Sequence, residues 1–155
     1  ANETQAEALG ALRDAAAPAE RAQGPAVQHD ISVPVAAMPD FIAEASPAVE
    51  AAWPGTRVVA FGHLGDGNIH FHVLAPTGVS AAPWHAGDGK AISRQVHDLV
   101  TQWQGSISAE HGVGMTKRDY LHYSRDAVEI DYLRAVKAVF DPNGILNPGK
   151  IIPAP

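Results

Sequence analysis

The stretch from Arg57 to Leu74 constrains the chain most. Arg57-Val58-Val59-Ala60-Phe61 is β-branched and apolar, and Ile69-His70-Phe71-His72-Val73-Leu74 alternates with a period of two. Between them, Gly62-His63-Leu64-Gly65-Asp66-Gly67-Asn68 supplies turn chemistry. Two antiparallel strands joined by a glycine-rich turn follow, and their apolar side needs a layer of helices over it.

The rest of the chain supplies that layer. His29-Asp30-Ile31-Ser32-Val33-Pro34-Val35 alternates like the hairpin and predicts another half-buried strand. Helices are expected over residues 3–16, closed by Pro18, and from near Pro39, with Phe41, Ile42 and Ala45 inward and a kink or restart at Pro47. Trp84 and His85 fall in a loop between Pro76 and Gly89. Asp88 can then cap a helix with Ile92, Val96, Leu99, Val100 and Trp103 on one face. After a short extended piece, Ser106-Ile107-Ser108, Ser124 opens a last helix in which Leu133, Val136 and Phe140 share a face. The order and the short connections predict one α+β domain, with helices packed on one face of an antiparallel sheet.

Composition narrows the function. With 155 residues and 46% hydrophobic content, the chain can bury one core. Eleven Lys and Arg against 17 Asp and Glu give a net charge of −6, without the basic footprint of a nucleic-acid or anionic-membrane binder. No apolar run is long enough to span a bilayer, and no leader resembling a signal peptide is present, so a cytoplasmic location is expected. The start at Ala1 rather than Met suggests a piece of a longer chain. Without cysteine, any metal falls to His, Asp or Glu.

Eight histidines are present, three of them, His63, His70 and His72, on the predicted hairpin. His70 and His72 are two apart on a strand and project from one face, and the antiparallel return can bring His63 beside His70. Neutral imidazoles are common metal ligands, yet by spacing alone the three also fit a solvated strand face. Glu110-His111 adds a carboxylate and an imidazole in a glycine-flanked loop. Two His and one Glu with an open position is the ligand set of a catalytic zinc site, which would leave His111 free as a base. A surface Glu-His pair is the competing reading.

Three motifs in order carry a resemblance: Gly62-His63-Leu64-Gly65-Asp66-Gly67-Asn68-Ile69-His70, Ser108-Ala109-Glu110-His111-Gly112-Val113-Gly114, and Asp141-Pro142-Asn143-Gly144-Ile145-Leu146-Asn147-Pro148-Gly149-Lys150. From about Leu12 to Ile152 the chain resembles the C-terminal part of FAD-linked D-2-hydroxyacid dehydrogenases, which include D-lactate, glycolate and D-2-hydroxyglutarate oxidising enzymes. The resemblance implies a ferredoxin-like antiparallel sheet and makes residues 1–155 a cap and substrate domain, with the N-terminal FAD-binding domain absent. It matches His63, His70 and Glu110 to ligands of a divalent metal, usually Zn2+, and His111 to the catalytic base.

By the same resemblance Arg13 grips the substrate carboxylate and Asn147 lies where the chain returns toward the flavin; His72, at a position frequently Asn, is open to three roles, a substrate contact, a support behind the ligands or a fourth nitrogen near the metal. Gln28 and Ala17 stand where the family often has lysine and threonine, which favours a smaller or more apolar acid over a dicarboxylate. The implied partners are a 2-hydroxy acid, the FAD-binding domain in cis and an electron acceptor that the sequence does not specify. The separate 155-residue piece is expected to be inactive, since no side chain accepts a hydride. A stand-alone His/His/Glu hydrolase and a non-catalytic binding module are the rival expectations.

Overall fold

The computed structural model describes residues 2–152. Helices α1 (Glu3–Asp14) and α2 (Ala16–Arg21) lead into β1 (Ala26–Ser32). Then come α3 (Met38–Ala52), β2 (Arg57–His63), β3 (Asn68–Leu74), α4 (Ala81–Ala86), α5 (Asp88–Gln102) and α6 (Ala127–Phe140), with 3-10 turns at Val35–Ala37 and Arg118–Tyr123.

The three strands form an antiparallel sheet in the order β1-β3-β2. Register sorts the side chains: Ile31 lies opposite Ile69, His29 and Ala60 flank Phe71, and Val58 lies opposite Val73. This face is fully buried at Ile31, Ile69, Phe71 and Val73. It packs under α3, through Phe41, Ala45 and Val49, and under α5, through Ile92, Val96 and Val100. The i, i+4, i+8 spacing puts each helical trio on one stripe. The opposite face is polar, with Asp30, His70 and Phe61 in one cross-strand row and Gln28, His72 and Val59 in the next.

A fourth strand is reduced to one antiparallel bridge between Ser106 and Ser32, with paired backbone hydrogen bonds of 2.9 Å on the free edge of β1. With the Ser106 bridge placed outside β1, the order β1-β3-β2 is that of a ferredoxin-like sheet. Gly105 permits the approach, because a Cβ there would collide with the Ser32 carbonyl. Gly67 (φ 77°) closes the β2–β3 turn in a left-handed conformation, where a side chain would also run into the Val33 carbonyl.

Several local expectations are corrected. Pro18 does not close the first helix; it sits in the first turn of α2, where its missing N–H is not needed. β1 begins at Ala26 and ends at Ser32, before Pro34. Helix α3 runs unbroken through Pro47, which is exposed like Ala43, so the carbonyl that loses its donor is on the solvated side. Trp84 and His85 lie in α4, with Trp84 in the core. Gly87, not Asp88, occupies the α5 cap position.

Asp126, not Ser124, caps α6, in a reciprocal box with Glu129; the Ser124 hydroxyl instead accepts the Ile107 N–H at 3.0 Å. The shared apolar face of α6 is largely uncovered: Val136 is 58% and Phe140 77% exposed, and Ile130 is the helix's buried residue.

Candidate functional site

The polar sheet face and the loop after Ser106 meet at one point. Glu110 Oε1 lies 3.4 Å from His70 Nε2, 3.7 Å from His63 Nε2 and 3.8 Å from His111 Nε2. His63 ends β2 and His70 sits on β3 beyond the tight turn, so the hairpin places their rings edge to face with centroids 5.5 Å apart. His111 stacks on His70 at 5.8 Å and an interplanar angle of 21°. The expected convergence of two hairpin imidazoles, the loop carboxylate and a further ring is present.

The donor set suits a divalent cation. Ligands at about 2.0–2.2 Å on a tetrahedral ion stand about 3.3 Å apart, close to the 3.4 and 3.7 Å separating Glu110 Oε1 from His70 and His63. Among the described residues, the group whose ligand atoms all lie within 4.8 Å of one another is Asp30, His70, Glu110 and His111; His63, an expected ligand, approaches Glu110 but falls outside that group. Asp30 is the weaker ligand of the two possible additions, because its oxygens are already engaged by hydrogen-bond donors. His70 has its pKa lowered, foremost by burial and also by His63 and His72, against the opposing pull of Glu110 and Asp30. A neutral imidazole is the ligating form.

Asp30 was not singled out from sequence. Its Oδ2 accepts the backbone N–H groups of Ala109 (3.2 Å), Glu110 (3.0 Å) and His111 (2.8 Å), and its Oδ1 accepts the Asn68 side-chain amide at 2.8 Å. Burial pushes the Asp30 carboxyl up, but the His111 amide, Asn68, the Glu110 amide and Lys117 together hold it below the usual carboxylate range. Lys117 donates to the carbonyls of Asp30 (3.0 Å) and Ile107 (2.8 Å), fixing the start of the same loop, and burial lowers its pKa. The only sequence signal for Asp30 was its place on the polar side of an alternating strand.

Two cavities flank the histidine row. One, of about 440 Å3, is lined by His70, His72, His111, Gln28, Arg21 and Lys117 among others. The second, of about 540 Å3, lies between α1–α2 and the hairpin, with Arg13 on one wall and His63 and His70 on the other. Arg13 is thus brought to the rim of the site, while its side chain remains 74% exposed beside Asp14. His72 turns its Nδ1 to the buried Glu20 Oε2 at 2.5 Å, a partner that sequence did not indicate. Asn147, in a left-handed turn of the C-terminal segment, lines neither cavity. That segment is held in place: the Ile151 N–H donates to the Gly114 carbonyl (2.8 Å) and Arg118 to that of Gly149 (3.1 Å).

The sequence of the chain has known relatives. Residues 1–151 match the family described as FAD linked oxidases, C-terminal domain, and the chain belongs to that family. It is 50% identical over 127 residues to a D-2-hydroxyglutarate dehydrogenase of Stutzerimonas stutzeri, covering 82% of this chain and 27% of the relative. A D-2-hydroxyglutarate dehydrogenase of Xanthomonas citri pv. viticola is 43% identical over 124 residues, 80% of this chain and 26% of its own. The mitochondrial D-2-hydroxyglutarate dehydrogenase of Danio rerio is 35% identical over 150 residues, 97% of this chain and 27% of its own. The chain therefore spans about a quarter of the length of these relatives. Among the described residues no helix is long and apolar enough to cross a membrane.

Proposed function

We propose that this chain is the substrate- and metal-binding part of an FAD-dependent dehydrogenase that oxidises a D-2-hydroxy acid to the 2-oxo acid. The carrying observation is the approach of three imidazole Nε2 atoms to one oxygen of Glu110. His63, His70 and Glu110 would hold a divalent cation, for which zinc fits the donor types. A bound cation would supply polarisation of the substrate hydroxyl, and a bound flavin would supply the hydride acceptor that no side chain here provides. His111, 65% exposed at its side chain and stacked on His70, takes the hydroxyl proton at Nε2.

Arg13 meets the substrate carboxylate across the cavity it shares with His63 and His70. His72, pinned through Nδ1, forms part of the substrate wall. The relatives are named for a dicarboxylic acid, and Arg21 and Lys117 give the other cavity two cationic side chains. Those cations offset the neutral Gln28 and Ala17, so a second carboxylate on the substrate fits better than the two uncharged positions alone imply.

The flavin-binding part belongs in cis, as the length of the relatives suggests. The uncovered α6 face, with Tyr132, Val136, Val139 and Phe140 more than half exposed, is the surface we assign to it. Asn147, next to Leu146, whose carbonyl accepts from Lys137 of α6, is the contact we assign to the flavin. The cytoplasmic location belongs to the same reading.

The test is the full-length protein, loaded with Zn2+ and FAD and assayed with D-2-hydroxy acids and a dye acceptor. His111→Asn is expected to lower kcat by about 100-fold or more, the scale of general base catalysis, with bound flavin and zinc unchanged. Flavin reduction as fast in that variant as in the parent would refute the assignment.

A further inference from the structure

We propose that Asp30 is the positioning residue of this site: one buried carboxylate folds the Glu110–His111 turn and stands behind the two stacked imidazoles. The inference rests on the site reading above and extends it to a residue outside the motifs.

The first half of the argument is the turn. Three consecutive amides, of Ala109, Glu110 and His111, converge on Asp30 Oδ2, the arrangement in which backbone N–H groups enclose an anion. Asn68 holds the other oxygen and also donates to the Ile31 carbonyl at 3.2 Å, tying the carboxylate to β1 and β3. With four N–H groups on two oxygens, Asp30 has little capacity left to bind a cation itself. It acts through the residues it aims. Its cross-strand partner is His70, so the strand register sets the turn directly above the hairpin histidines.

The second half is the rings. His70 has Nδ1 3.9 Å from Asp30 Oδ1 and Nε2 3.4 Å from Glu110 Oε1. His111 repeats the order, with Nδ1 3.7 Å from Asp30 Oδ2 and Nε2 3.8 Å from Glu110 Oε1. Both imidazoles are thus spanned between the same two carboxylates in the same sense. The two carboxylates stand about equally near the two ring nitrogens; a cation taken up beside Glu110 would disfavour hydrogen on Nε2, and Asp30 on the other side would then favour the tautomer with hydrogen on Nδ1 and the lone pair on Nε2. That lone pair is what ligation by His70 and proton acceptance by His111 both require.

The experiment compares the full-length protein with its Asp30→Asn variant, nearly isosteric but with an NH2 facing hydrogen-bond donors whichever way the amide turns. Chelator competition with Zn2+ is expected to show an affinity weakened by about 10–100-fold. Amide exchange should accelerate at residues 109–111 and stay slow at Phe71 and Val73, and kcat should fall with KM little changed. Unchanged zinc affinity and loop exchange in the folded variant would overturn the proposal, as would acceleration spread evenly through the core.

Should Asp30→Asn fail to fold, Asn68→Ala decides, since it withdraws one donor and leaves the three amides in place. A smaller loss of zinc affinity supports the proposal, and none overturns it. A parent protein that takes up no divalent cation sinks the site reading instead, and exchange at 109–111 then judges Asp30 by itself.

Discussion

The imidazole of His72 meets the carboxylate of Glu20 at 2.5 Å, Nδ1 to Oε2, and this contact seats α2 on the sheet. Glu20 is 3% exposed and the only buried residue of α2, while α1 has none. The helix pair that carries Arg13 over the histidine face is therefore held chiefly at one polar point. His72→Asn leaves a buried carboxylate without its partner, a loss of about 3–5 kcal/mol where such pairs are broken from one side. Expected are a lower Tm and early proteolysis within residues 3–21. Adding Glu20→Gln to His72→Asn should recover part of the loss. A purely additive double-mutant cycle would show that the two side chains are not coupled.

Stability should fall as pH drops from neutral, with His97 as one cause. His97 is buried between Tyr120, Tyr123 and His29, with Lys117, Asp98 and His122 as its charged or titratable neighbours. Burial, then Lys117 and also His122, lowers its pKa from 6.5 to about 4, with Asp98 opposing. Between those values the unfolded chain binds a proton that the folded chain refuses, so stability present above pH 6.5 is lost as pH falls toward 4. Linkage allows a slope of up to about 1.4 kcal/mol per pH unit and a total of about 3 kcal/mol. Urea unfolding at a series of pH values measures it, and His97→Phe should flatten the curve by one proton. A slope that survives the substitution whole would assign it to other groups, His29 first.

Gly105→Ala should destabilise the chain although the backbone there is not left-handed. An added Cβ meets the Ser32 carbonyl and also lies 2.9 Å from Val100 Cγ1. The Ser32–Ser106 bridge would have to open, and with it the start of the loop leading to Glu110. Overpacking of this kind costs about 1–3 kcal/mol, to be read from denaturant midpoints. A neutral outcome would mean that the bridge is dispensable.

What was legible in the sequence divides along physical lines. Period-two alternation and a glycine turn specify a hairpin locally, so the proximity of His63 to His70 could be inferred before any coordinates. Glu110 and His111 lie about 40 residues further on, and only the motif joined them to the hairpin. Asp30 depends on the register of β1 against β3, which no local pattern specifies, and Glu20 reaches His72 from a separate helix 52 positions away. For α6, the 3.6-residue period correctly marks one apolar face at Leu133, Val136 and Phe140. It carries no information about what covers that face.

The α6 face makes the last prediction, because exposure and function pull in different directions there. Val136 and Phe140 are 58% and 77% exposed, so changing both to Ser should move the stability of the 155-residue chain by no more than about 0.5 kcal/mol each. That chain should be colourless and fail to reduce a dye with D-lactate or D-2-hydroxyglutarate, because hydride acceptance needs a cofactor that no side chain replaces. In the full-length protein the same two substitutions should uncouple the cap from the flavin-binding part, seen as faster flavin release and lower kcat. Flavin retention and turnover identical to the parent would place the contact elsewhere. A marked loss of stability in the short chain would mean instead that α6 packs its apolar face inward.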